Sequence, residues 1–145
     1  MTGRPEELEP LLSKGHLAEA ARVEGTTRQF IMNAAGMLAD AKRAENSVQG
    51  RFICAYEGVR CLAMAYLRHY GCRPGGEGHR QQALQVFVQQ IGLNEAFATV
   101  TRAHQIRNDK TYHESAPPVD QTTIDGLIRF VEKALPLVKQ LTTPE

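Results

Sequence analysis

Apolar side chains recur along this chain at steps of three and four and almost never at steps of two, a period that calls for helices throughout. The clearest run is about 48–70, where Phe52, Tyr56, Val59, Ala63, Tyr66 and Tyr70 form one stripe. Cys54, Ala55, Cys61, Leu62, Ala65 and Leu67 widen that stripe, so this segment reads as the central helix around which the others pack. Before it, 26–45 opens on the capping residues Thr26 and Thr27 and buries Phe30, Ile31, Ala34, Met37, Leu38 and Ala41. Residues 6–13 and 16–23 predict one or two short helices broken at Gly15, and 79–91 predicts another through Leu84, Phe87, Val88 and Ile91. A helix from about 94 carries Leu93, Phe97 and Val100. The last, about 122–141, carries Ile124, Leu127, Ile128, Val131, Ala134, Leu135 and Val138, with Thr122 and Asp125 at capping-box spacing. Pro136 falls inside that pattern, where it is expected to kink or shorten the helix. The fold expected is all-α, an up-and-down bundle of four to five main helices in one domain over 1–145.

A chain of 145 residues can bury a core without disulfides or metals, and no apolar run approaches the roughly 20 residues of a membrane span. The first residues, Met1-Thr2-Gly3-Arg4-Pro5-Glu6-Glu7, lack the apolar stretch of a secretory signal. Cys54 and Cys61 are seven apart on one helix, about 10 Å along its axis, too far to bridge. The thiols therefore read as reduced, buried small hydrophobes, which points to the cytoplasm. His69, Cys72 and His79 flank a glycine-rich stretch but match no zinc spacing, so neither a metal nor another cofactor is expected. That stretch, 71–78, holds four glycines and a proline and reads as a mobile connector, without the Gly-Lys-Ser/Thr ending of a phosphate-cradling loop. A Gly-x-Ser-x-Gly elbow is missing as well, and the cysteines lie in apolar helix, which leaves hydrolase chemistry at a serine or cysteine without support.

Net charge is +1, yet residues 51–110 carry eight Lys/Arg against four acids. A basic middle suits a polyanion such as RNA, and it equally suits a solvated helix face. Within it, the stripe Leu93, Phe97, Val100 continues by the same steps onto His104 and then Arg107. A helix whose buried seam turns polar in its last turns is either capping itself or building a site. The macrodipole alone favours a cation there by about 0.3–1 kcal/mol, and a buried histidine is commonly a hydrogen-bonded core residue. Six residues on stands His113, followed by Glu114-Ser115-Ala116-Pro117-Pro118. On unbroken helix the two side chains would diverge by about 120°, so they converge only if the helix ends between them or a second subunit supplies the complement. Asn108 and Asp109 stop helices well and the prolines forbid continuation, which places His113 in the loop just past the helix end.

Arg107-Asn108-x4-His113, at the end of the penultimate long helix of a small helical domain, resembles the Arg-x4–6-His motif of the HEPN superfamily, including the polar residue after the arginine. Leu11-Leu12-Ser13-Lys14-Gly15-His16-Leu17-Ala18-Glu19-Ala20 is similar to the family's opening, and the likeness extends over about 10–141. The resemblance implies a metal-independent ribonuclease, often a toxin, that works as a homodimer with Arg107 and His113 of both chains in one cleft. It implies catalytic roles for Arg107, His113 and Asn108 and RNA contacts from Lys110, Tyr112 and His104. It also implies an RNA substrate and a cognate antitoxin of nucleotidyltransferase or DNA-binding type. The alternative within the family is a non-catalytic module that binds nucleotide or RNA beside a nucleotidyltransferase. A toxin branch silenced by modification of a tyrosine has Arg-x4-His-x-Tyr. Here five residues separate Arg107 from His113, Ser115 stands where that tyrosine would be, and Tyr112 precedes the histidine.

Overall fold

The computed structural model describes residues 3–108 and 119–143. Among them six α-helices run in the order α1 (Glu9–Ser13), α2 (Glu24–Lys42), α3 (Val48–His69), α4 (Arg80–Gln90), α5 (Phe97–Asn108) and α6 (Gln121–Thr142). No described helix is long and apolar enough to cross a membrane. Helix α3 is the axis. Half of its 22 residues are buried, spread around its circumference, because α2 and α6 cover one side and α4 and α5 the other. Its N-terminus is capped by Ser47, whose hydroxyl accepts from the Gly50 amide at 3.0 Å. The main expectation from periodicity holds: the fold is mostly helical, and the central helix is the one with the widest apolar arc.

Four local expectations give way. Helix α2 starts two residues before Thr26, at Glu24, with Val23 in the cap position and no side-chain cap. Thr27 is buried inside the helix instead, its amide bonded to the Val23 carbonyl at 3.1 Å. Helix α6 is capped by Asp120, whose carboxylate accepts from the Thr123 amide and hydroxyl, both at 2.8 Å, so Thr122 and Asp125 do not form the cap. It also runs through Pro136 to Thr142, so of the two outcomes expected at the proline, shortening does not occur. Pro136 and Glu132, whose carbonyl loses a helical partner, both lie on the exposed side, where that carbonyl is open to solvent.

The fourth departure changes the topology. Residues 16–23 are not helical, and 71–78 is not a free connector. Leu17–Glu19 (β1) and Cys72–Pro74 (β2) pair antiparallel, with Leu17 opposite Pro74 and Glu19 opposite Cys72. Gly75 extends the ribbon by donating to the His16 carbonyl at 2.8 Å. A β-carbon on Gly75 would collide with the Gly15 carbonyl, so that glycine is required for two backbones to meet. Gly71 turns the chain out of α3 with φ 73°, a conformation other residues rarely adopt. Arg4 ties the N-terminal segment to this ribbon, donating to both carboxylate oxygens of Glu19 at 2.9 Å and to the Tyr70 carbonyl at 3.2 Å.

Candidate functional site

Helix α5 buries Val100, Ala103 and His104 against the bundle, and its hydrophobic seam ends there. His104 is 8% exposed. A buried imidazole needs hydrogen-bond partners, and it has two. The Tyr56 hydroxyl, reaching over from α3, lies 2.9 Å from Nδ1, and the Asn108 amide nitrogen lies 3.1 Å from the same atom. The Asn108 nitrogen also lies 3.4 Å from Nε2, and the tautomer of the ring decides which of these contacts donates and which accepts. Burial, with Arg80 adding like charge, holds His104 below the usual histidine range and keeps it neutral. Burial likewise pushes the Tyr56 hydroxyl up, offset in part by a hydrogen bond from Asn108.

Asn108 also donates to the His104 carbonyl at 3.0 Å, satisfying an acceptor that the end of α5 would otherwise leave open. One short side chain thus locks the helix terminus and the histidine together. Arg107, one position back and about 100° around the helix, is half-buried and makes no hydrogen bond or ion pair with the described residues. Asn108 is turned toward His104. Lys110, Tyr112 and His113 lie outside the described residues.

Of the residues singled out from sequence, the fold therefore gathers His104 and Asn108 into one network and sets Arg107 beside it. Tyr56 completes the network, and sequence reasoning missed it: at its position in the apolar stripe of α3 it reads as plain core. The Glu57–Arg60 pair on the same helix is half-buried, with the Arg60 Nε 3.0 and 3.1 Å from the two carboxylate oxygens. His69, Cys72 and His79 do not converge. His79 stacks on His16 with ring centroids 4.8 Å apart, His69 meets the edge of Tyr70, and Cys72 is buried with its thiol toward the Tyr70 carbonyl. Among the described residues no three His, Cys, Asp or Glu side chains are grouped to hold a metal ion. All three thiols are free and are pushed up by burial, the opposite of what a nucleophilic cysteine requires.

No known family, characterised protein or solved structure matches this chain in comparisons by sequence and by fold.

Proposed function

We propose that this chain is a metal-independent endoribonuclease of HEPN type that acts as a homodimer and serves as the toxin of a toxin–antitoxin or defence system. The observation that supports the reading is the end of α5, where a buried His104 and Asn108 anchor the helix terminus next to a half-buried Arg107 that pairs with no described residue. A guanidinium held on a rigid helix end, with no described carboxylate to neutralise it, suits a transferring phosphoryl group.

RNA brings its own nucleophile in this mechanism. The ribose 2′-oxygen forms a bond to phosphorus while His113 of one protomer takes its proton. The bond from phosphorus to the 5′-oxygen breaks, and His113 of the other protomer protonates that leaving oxygen. An imidazole with a pKa near 6.5 can serve in either role near neutral pH. Arg107 spreads the charge of the pentavalent intermediate over two donors. The products are a 2′,3′-cyclic phosphate and a 5′-hydroxyl, and Lys110 and Tyr112 help hold the strand. The test is incubation of purified protein with mixed RNA in EDTA, wild type beside Arg107→Ala and His113→Ala. Each variant is expected to lose about 100-fold or more in rate. Cleavage that is unchanged in both variants contradicts the assignment, and RNA retention without cleavage by the wild type favours the non-catalytic alternative.

A further inference from the structure

We propose that a cavity between α3, β2 and the start of α4 is a binding site for a small phosphate ester; Tyr56, which bonds His104, stands on its wall, and Arg107 does not. The cavity has a volume of about 270 Å³ and is lined by four arginines, Arg60, Arg68, Arg73 and Arg80, with no described acidic side chain on its wall. Guanidiniums repel one another, and a group of four of which only Arg60 has a described carboxylate partner, Glu57, favours an anion between them.

The state of each arginine bears this out. Arg60 has its Nε engaged by Glu57, which fixes the side chain in place. Arg73 lends one terminal nitrogen to the Pro74 carbonyl at 3.1 Å. Arg68 lines the cavity, and its buried Nε finds no hydrogen-bond partner among the described residues, so no described group offsets its charge there. Arg80 makes no hydrogen bond or ion pair with the described residues, and it stands at the first position of α4. A cation there opposes the helix macrodipole, while an anion is favoured. That terminus has no side-chain cap, and its first turn carries no acid. Arg68, Arg73 and Arg80, which pair with no described carboxylate, therefore present a common acceptor-seeking surface beside Arg60.

Shape selects the rest of the ligand. Ala63, Met64 and Leu84 also line the cavity and give it apolar surface beside the charges, fit for a compact organic group on a phosphate. The volume falls just under the roughly 300–1,000 Å³ of sites for drug-sized ligands, which suits a monophosphate or diphosphate ester and not a strand of nucleic acid. The ribbon that carries Arg73 depends on the meeting of Gly75 with Gly15, so the cavity is built by the fold rather than by a loose loop.

The site goes beyond the ribonuclease reading and does not depend on it. The experiment is calorimetric titration of the full chain at physiological salt with inorganic pyrophosphate and with adenosine 5′-monophosphate. Oligonucleotides bearing a 5′-phosphate or a 5′-hydroxyl form the comparison arm. One saturable site per chain is expected for the small phosphates. Arg68→Met and Arg80→Gln should each weaken it by at least about tenfold while the unliganded variants melt no lower than wild type. Arg107→Ala should leave it unchanged, which separates this site from the proposed catalytic one. Absence of saturable binding, equal affinity in correctly folded arginine variants, or binding confined to the 5′-phosphorylated oligonucleotide would each overturn the proposal.

Discussion

Helix α3 shows two opposite ways of using a buried face. Toward α2 and α6 it presents Gly58, with Ala55, Leu62 and Ala65 on the same stripe at steps of three and four, and the glycine lets the helices approach closely. A β-carbon at Gly58 would sit 3.4 Å from Val131 of α6 and 3.8 Å from the Ala34 carbonyl of α2. Toward α4, α5 and β2 the same helix presents Tyr56, Arg60 and Arg68, and the packing opens into a polar network and a cationic cavity. One side holds the molecule together. The other is free to carry chemistry because the first does so.

That contrast has measurable consequences. Leu62 is fully buried, and Leu62→Ala should cost about 2–5 kcal/mol in urea unfolding, the range for a cavity that cannot collapse. A much smaller loss would mean that the α2–α3–α6 side is not the stable half. On the polar side the effect is smaller and depends on pH. His104 is held below its ordinary range in the folded chain, so the unfolded chain takes up a proton first as pH falls. Its contribution is present above about pH 6.5 and is lost as pH drops through the folded value. His69, also lowered by burial, adds in the same direction. Replacing His104 with Gln should flatten the decline in melting temperature between pH 7 and pH 5, leaving the part due to His69. A decline equally steep in that variant would remove His104 from the account.

Legibility in the sequence divides along the same line. The long helices α3 and α6 announce themselves through repeated apolar stripes, because burial on a helix leaves a period that many residues share. The paired ribbon leaves no such trace: strands of three residues, Leu17–Glu19 and Cys72–Pro74, are too short for a period of two. Its one written sign is glycine at 15, 71 and 75, which signals a turn and not what the turn will meet. Helices α2 and α6 take their caps at Val23 and Asp120, away from the threonines that local preference favours, because a capping residue is a weaker determinant than the docking of the whole helix. At the candidate site His104, Arg107 and Asn108 are visible as a seam turning polar. Tyr56 is hidden, since a tyrosine in an apolar stripe looks the same whether or not its hydroxyl has a partner. The excess of arginine in the middle of the chain is countable, but only the β ribbon brings Arg73 across to Arg60, Arg68 and Arg80.

Which oxygen attacks phosphorus is the point on which the proposed chemistry turns, and a change of substrate tests it most directly. A cleaved RNA should be remade with a single 2′-deoxy nucleotide on the 5′ side of the scissile phosphate, and both substrates incubated with the wild-type protein in EDTA. The deoxy substrate is predicted to survive intact at that bond, while the all-ribose substrate yields a 2′,3′-cyclic phosphate and a 5′-hydroxyl. Cleavage of the deoxy substrate at the same position, or products carrying a 5′-phosphate, would show that water and not the ribose attacks, and would contradict the mechanism.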